Sequence, residues 1–195
     1  NEDQEEVKPD YYSFCATIYG AKNVVKTDLI TTCDPFCQIR ITDNKSENEI
    51  TDDDIIHENA MINLQTKIAK DTQNPEWNEK FNFNVQNVED KSISFLIIDK
   101  DFIGHDSLLN SISFPLTRYV NAKEGIDEWL TVKSKKKIGI LTDLHIFVKA
   151  TPEFGTMTNT NSIIKKKIYS DDDDDKNDKS WELNEEEENE NHNFD

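Results

Sequence analysis

Between Tyr11 and Thr151 the apolar residues fall in short segments rich in β-branched and aromatic side chains, separated by breaks of Asp, Asn and Lys. No stretch sustains the 3.6-residue period of a helix. The pattern predicts eight strands, at Ser13–Tyr19, Pro35–Thr42, Ile62–Ala69, Glu79–Val85, Ser92–Ile98, Ser111–Phe114, Trp129–Val132 and Ile140–Lys149. Two-residue alternation puts Phe14, Ala16 and Ile18 on one face of the first strand, and Cys37, Ile39 and Ile41 on one face of the second. A lone sheet would leave such faces wet, so two sheets must close on each other. The predicted fold is all-β: an eight-stranded antiparallel Greek-key β-sandwich, for which about 140 residues suffice.

The pattern stops at both ends. Residues 1–10 form an acidic extension with five acids and one lysine, and residues 153–195 carry 14 acids against five lysines, in runs such as DDDDD and EEEE. Segments so charged cannot bury a core, and both tails are expected to be disordered. One domain is left, at 11–152, interrupted at 43–59 by the acidic insertion DNKSENEITDDDIIHEN, read as a surface loop. The formal net charge of -18 argues against nucleic acid as a partner. Cys15, Cys33 and Cys37 have neither disulfide-framework nor zinc-ligand spacing, and packing accounts for them. A reducing cytoplasm is the expected compartment, and the start at Asn1 is read as the edge of an excerpt from a larger protein.

Chemistry enters with aspartates at strand ends. Asp28 and Asp34 bracket the first connection, KTDLITTCDPF, while Asp99, Asp101 and Asp106 lie in the fifth, LIIDKDFIGHD. Two carboxylates about 5 Å apart repel by roughly 3 kcal/mol at an effective dielectric of 20, so a converging set calls for a cation. An all-oxygen cluster on flexible loops suits calcium.

These segments, in order with TKIAKDTQNPEWNEKFNFNV and EWLTV…LHIFVKA, resemble the C2 domain family across about residues 11–151. The most specific pieces are DPF six residues after Asp28, NPEWNEKFNF, and DKD with a nearby aspartate. The resemblance implies calcium as cofactor, with Asp28, Asp34, Asp99 and Asp101 as ligands and the Thr27 and Lys100 carbonyls contributing. The family's last ligand position falls on Ser107, with Asp106 immediately before it, so one calcium site is a firmer expectation than two. The strand order resembles the second circular permutant, as in phospholipase- and ferlin-type domains.

If each connection reverses direction, the first, third, fifth and seventh share a pole, and the insertion and termini fall at the other. That gathers the aspartates with apolar Leu29, Ile30, Phe102 and Ile103 and with Lys133, Lys135, Lys136 and Lys137. The expected function is reversible, calcium-dependent binding to anionic phospholipid, phosphatidylserine-like membranes by a peripheral cytoplasmic module. The acidic tail is a second candidate dock, for a protein partner. Lys67 and Lys70 alone make a weak phosphoinositide strand. The competing reading is a calcium-independent protein-interaction C2 domain.

An enzyme is not expected. DKD after an apolar strand superficially resembles haloacid-dehalogenase phosphatases, but those alternate helices and strands, and helices are absent from this pattern. An EF-hand fails because Asn110 stands at position 12 from Asp99. No GxSxG or P-loop pattern is present, and His57, His105, His145 and His192 lack a nucleophile partner.

Overall fold

A computed structural model describes residues 8–24, 33–43, 60–101, 106–133 and 141–156. Eight strands follow in order: β1 (Tyr11–Lys22), β2 (Pro35–Asp43), β3 (Ile62–Gln65), β4 (Glu76–Val85), β5 (Lys91–Asp99), β6 (Ser107–Pro115), β7 (Ile126–Lys133) and β8 (Leu141–Glu153). They form two four-stranded antiparallel sheets, β4-β1-β8-β7 and β3-β2-β5-β6. All eight predicted strands are present, most of them longer than predicted. Residues 1–7 and 157–195 of the tails and residues 44–59 of the insertion lie outside the described residues, while Glu153, expected in the tail, ends β8.

The expectation that helices are absent needs correction. A one-turn helix, α1 (Thr117–Val120), and a 3-10 turn, Val88–Asp90, sit between strands. The helix is fixed from outside: Arg118 bonds Glu128 of β7 at 2.7 Å and lies 4.3 Å from the Phe114 ring, while Tyr119 fills the core. Single turns of this kind are too short to show a period in sequence.

β3 is shorter than predicted because Thr66 substitutes its side chain for ladder geometry. The Cys37 N–H donates to Thr66 Oγ1 at 2.9 Å, so the chain leaves the regular register after Gln65. It still follows β2 irregularly, through Thr66 N to Cys37 O and Ala69 N to Pro35 O, both 2.9 Å.

The alternation predicted for β1 and β2 is observed. Phe14, Ala16 and Ile18 face Cys37, Ile39 and Ile41 across a core completed by Phe81, Phe83, Phe95, Leu144 and Ile146. Phe14 and Phe83 stack with centroids 5.3 Å apart. Sheet β3-β2-β5-β6 also buries its opposite face, where Phe36, Leu96, Ile98 and Leu108 form a second cluster. β2 and the end of β5 are therefore buried on both sides, with Gln38 and Arg40 beside Phe36 on the outer face of β2, more like strands of a covered sheet than of an open one.

The poles follow from antiparallel pairing. Pro35, Asp99 and Ser107 stand side by side at one end of one sheet, and Lys133 pairs with Leu141 at the same end of the other. Neighbouring connections are cross-linked there too: Val24 N to Gln73 O at 2.9 Å and Thr72 N to Cys33 O at 3.0 Å. Thr142 Oγ1 is 3.1 Å from both Asn23 O and Asn110 Oδ1, tying β8 and β6 to the end of β1. Gly20 is required here, since a Cβ would collide with the Pro75 carbonyl oxygen that accepts the Ala21 N–H. As parity predicted, the strand ends that bound the first, third, fifth and seventh connections meet at this pole.

Candidate functional site

Three strand ends bring the described aspartates together. Asp34 immediately precedes β2, Asp99 ends β5, and Ser107 opens β6. The pairing of Pro35 with Asp99 and of Asp99 with Ser107 makes them neighbours across the sheet. Asp99 is buried, and its Oδ1 accepts the Asp34 N–H at 2.8 Å. The Lys100 N–H donates back to Asp34 O at 3.0 Å, closing a ring between the first and fifth connections. A carboxylate drawn this far inward and gripped by backbone is fixed in orientation.

The fifth connection adds four more groups. Ser107 Oγ donates to Asp101 Oδ2 at 2.7 Å, and the Asp101 N–H reaches Asp106 Oδ1 at 3.3 Å. The Lys100 ammonium lies 3.1 Å from the Asp106 carboxylate. Lys100 thus presents two functions, a backbone N–H that holds the Asp34 carbonyl and a side chain that offsets one negative charge. Ser107, the position at which the family pattern departs, contacts Asp101 through its hydroxyl, while Asp106 beside it accepts the Asp101 N–H.

The third connection contributes what the sequence did not advertise. The Asp71 N–H donates to Asp34 Oδ1 at 2.8 Å, so residues 66–75 hold Asp34 from the side. Any non-proline residue can supply such a backbone donor, which is why no side-chain pattern revealed it. Ile68, 41% exposed, and Leu141, 47% exposed, also stand at this pole. Both are apolar tips that sequence reading missed, because each sits beside a strand end and reads as core.

Several residues of the predicted set lie outside the described residues: Thr27, Asp28, Leu29, Ile30, Phe102, Ile103, Lys135, Lys136 and Lys137. The backbone of Lys133 ends β7 at the aspartate pole. Among the described residues no three acidic, histidine or cysteine side chains are grouped as metal ligands. The donor set that is described, Asp34, Asp99, Asp101, Asp106 and the Ser107 hydroxyl, is all oxygen, and in chemistry it fits calcium rather than a softer metal.

Nearby, Cys33 is buried under the pole, with Sγ 3.2 Å from Thr72 O and 3.7 Å from Val24 O. Cys37 lies in the core, where burial pushes its thiol well above the ordinary range.

Comparison with known proteins decides the family. The sequence profile described as C2 domain matches residues 13–132. The chain belongs to the C2 domain family. The match stops before β8, although β8 is a central strand of its sheet.

Among relatives, this C2 domain is 25% identical over 155 residues to the E3 ubiquitin-protein ligase Nedd-4 of Drosophila melanogaster, covering 74% of this chain and 14% of that protein. It is 28% identical over 102 residues to Synaptotagmin-3 of Arabidopsis thaliana, covering 52% and 16%. The chain therefore spans only a small part of the curated relatives it matches. In fold it is similar to a single C2 domain of plant Extended Synaptotagmin 1, with a TM-score of 0.57, 20% identity, and coverage of 76% of this chain and all of that one. It is also similar to the tandem C2 domains of Extended-Synaptotagmin 2, described as calcium bound, at a TM-score of 0.56 and 18% identity, covering 74% and 46%.

Proposed function

We propose that this C2 domain attaches reversibly to anionic phospholipid membranes when calcium occupies its aspartate pole. The observation that carries the reading is the placement of Asp34, Asp99, Asp101, Asp106 and Ser107 at the ends of three adjacent strands, where hydrogen bonds join Asp34 to Asp99 and Asp101 to Asp106 and Ser107. Asp28 completes the set from the first connection, with the carbonyls of Thr27 and Lys100. Calcium bound there would supply positive charge and open coordination positions for lipid oxygens.

The rest is done by this chain's own groups. Without an ion the five aspartates repel an anionic leaflet and offset the lysines of the seventh connection, Lys133, Lys135, Lys136 and Lys137. With the carboxylates neutralised, each lysine contributes about 1 kcal/mol near the surface. The tips Leu29, Ile30, Phe102 and Ile103 enter the interface, and Ile68 and Leu141 extend that apolar rim. The domain in this reading is a cytoplasmic, peripheral targeting module with no catalytic role of its own. Among the described residues no helix is long and apolar enough to cross a membrane.

Sedimentation with phosphatidylserine-containing liposomes, in calcium and in chelator, tests the proposal. Pelleting only with calcium is the expected result. Equal pelleting in both, or in neither, sinks it, and the latter points to calcium-independent protein docking.

A further inference from the structure

The described aspartates of the pole are each met by a donor of the chain itself, and the donors differ in kind. Asp34 takes the Asp71 N–H at 2.8 Å, Asp99 the Asp34 N–H at 2.8 Å, and Asp101 the Ser107 hydroxyl at 2.7 Å. Each of these donors is neutral and lies on or next to the backbone. Asp106 meets a full charge. The Lys100 ammonium stands 3.1 Å from both oxygens of its carboxylate, astride the position that a cation gripped by both would take.

The root of this lysine is fixed and its tip is free to move. Lys100 lies between Asp99 and Asp101, and its N–H donates to Asp34 O at 3.0 Å, so the stem starts inside the ring of carboxylates. The side chain is 48% exposed, and the ammonium can swing into water without disturbing the core. An ion pair this open to solvent favours the closed arrangement by a factor of about five at most.

We propose that Lys100 is a tethered counter-ion that competes with calcium for Asp106 and so raises the calcium level at which the domain responds. This rests on the calcium reading of the pole. Two cations cannot stand between the same pair of oxygens, so Lys100 must release Asp106 before that carboxylate is available. Binding then draws on the fraction of molecules in which the pair is open, and apparent affinity falls by that fraction. Lysine suits the part: a point charge on a flexible stem lets go more easily than the planar, bidentate fork of arginine.

Isothermal calcium titration of the full chain, without lipid and at one ionic strength, tests the competition. K100M and K100Q should bind calcium about fivefold more tightly than the parent, whereas K100R, which keeps the charge and grips a carboxylate harder, should bind no more tightly. K22M is the control for charge alone. Lys22 ends β1 at the same pole, but its ammonium lies 4.4 Å from the Trp129 ring centroid, and its loss should leave calcium affinity at the parental value. If K100M and K100Q bind no more tightly than the parent, or if K22M or K100R gains as much as they do, Lys100 is not a competitor for Asp106 and the calcium site stands without it. A parent chain that takes up no calcium overturns both.

Discussion

At the level of single residues, the aspartates do opposite things to stability and to function. Asp34, Asp99, Asp101 and Asp106 crowd like charges at one pole, partly offset by Lys100. The variant D99N/D101N keeps an acceptor oxygen for each bond these carboxylates accept from Asp34 and Ser107, while removing two charges. It should melt no lower than the parent and should take up no calcium by isothermal titration; unchanged calcium uptake would contradict the ligand assignment. The cysteines make a simpler test. Cys37 is buried with its thiol pushed up, Cys33 is buried, and Cys15 is half-exposed on the outward face of β1. Ellman titration of the native chain should show one thiol reacting promptly and all three only in denaturant, because the thiolate is the reactive form.

Individual residues were also what sequence disclosed best. The aspartates of the pole stood out by their places at the ends of predicted strands, and Cys37 was correctly placed in the core. What stayed hidden were contacts that need a partner's position. The Asp71 N–H on Asp34 and the Trp129–His145 stack join residues 37 and 16 apart in sequence. Only strand register brings them together, and register is a property of two strands.

At the level of elements, predicted and observed strands differ mainly at their ends. The alternation marks the stretch that faces the core, while pairing continues past it: β8 runs on to Glu153 because its last residues still pair with Tyr11 and Tyr12. β3 ends early for the converse reason, since Thr66 turns its hydroxyl to the backbone of β2. The small helix α1 was invisible because tertiary contacts make it. Removing one of these should be costly: R118A leaves Glu128 without its 2.7 Å partner and strips the cation from Phe114. A loss of roughly 1–3 kcal/mol is expected in urea unfolding, with liposome binding unchanged once the domain is folded.

The connections at the pole invite a comparison by salt. If Phe102 and Ile103 insert, F102A/I103A should weaken liposome binding even at high ionic strength, since apolar burial is not screened. Neutralising Lys135, Lys136 and Lys137 should weaken it at low salt and matter less as the Debye length falls from about 10 Å at 0.1 M towards 3 Å at 1 M. Partitioning at fixed free calcium across a salt series should show the two losses crossing. A tip variant that binds like the parent throughout removes insertion from the account.

At the level of the whole molecule, the sandwich is closed by pairing the first described strand with the last. β1 has β4 on one side and β8 on the other, along eleven paired positions from Tyr11 with Glu153 to Lys22 with Asp143. A chain ending at residue 140 retains everything that the family profile matches and lacks a central strand. It should show no cooperative thermal transition by circular dichroism, whereas a chain ending at residue 156 should melt as the parent does.

The same closure sets a clock on biosynthesis. At about 5–20 residues per second, the roughly 130 residues between the end of β1 and the end of β8 take on the order of 6–25 s to emerge. Throughout that time β1 has no partner for one of its edges, and its ladder groups are open to neighbouring chains on the same messenger. Low contact density among early segments cannot shorten the wait, because the missing partner has not been made. The domain's hazard of misassembly is therefore concentrated before β8 is made, and slowing the ribosome within residues 100–150 should lower its soluble yield more than slowing it beyond residue 160.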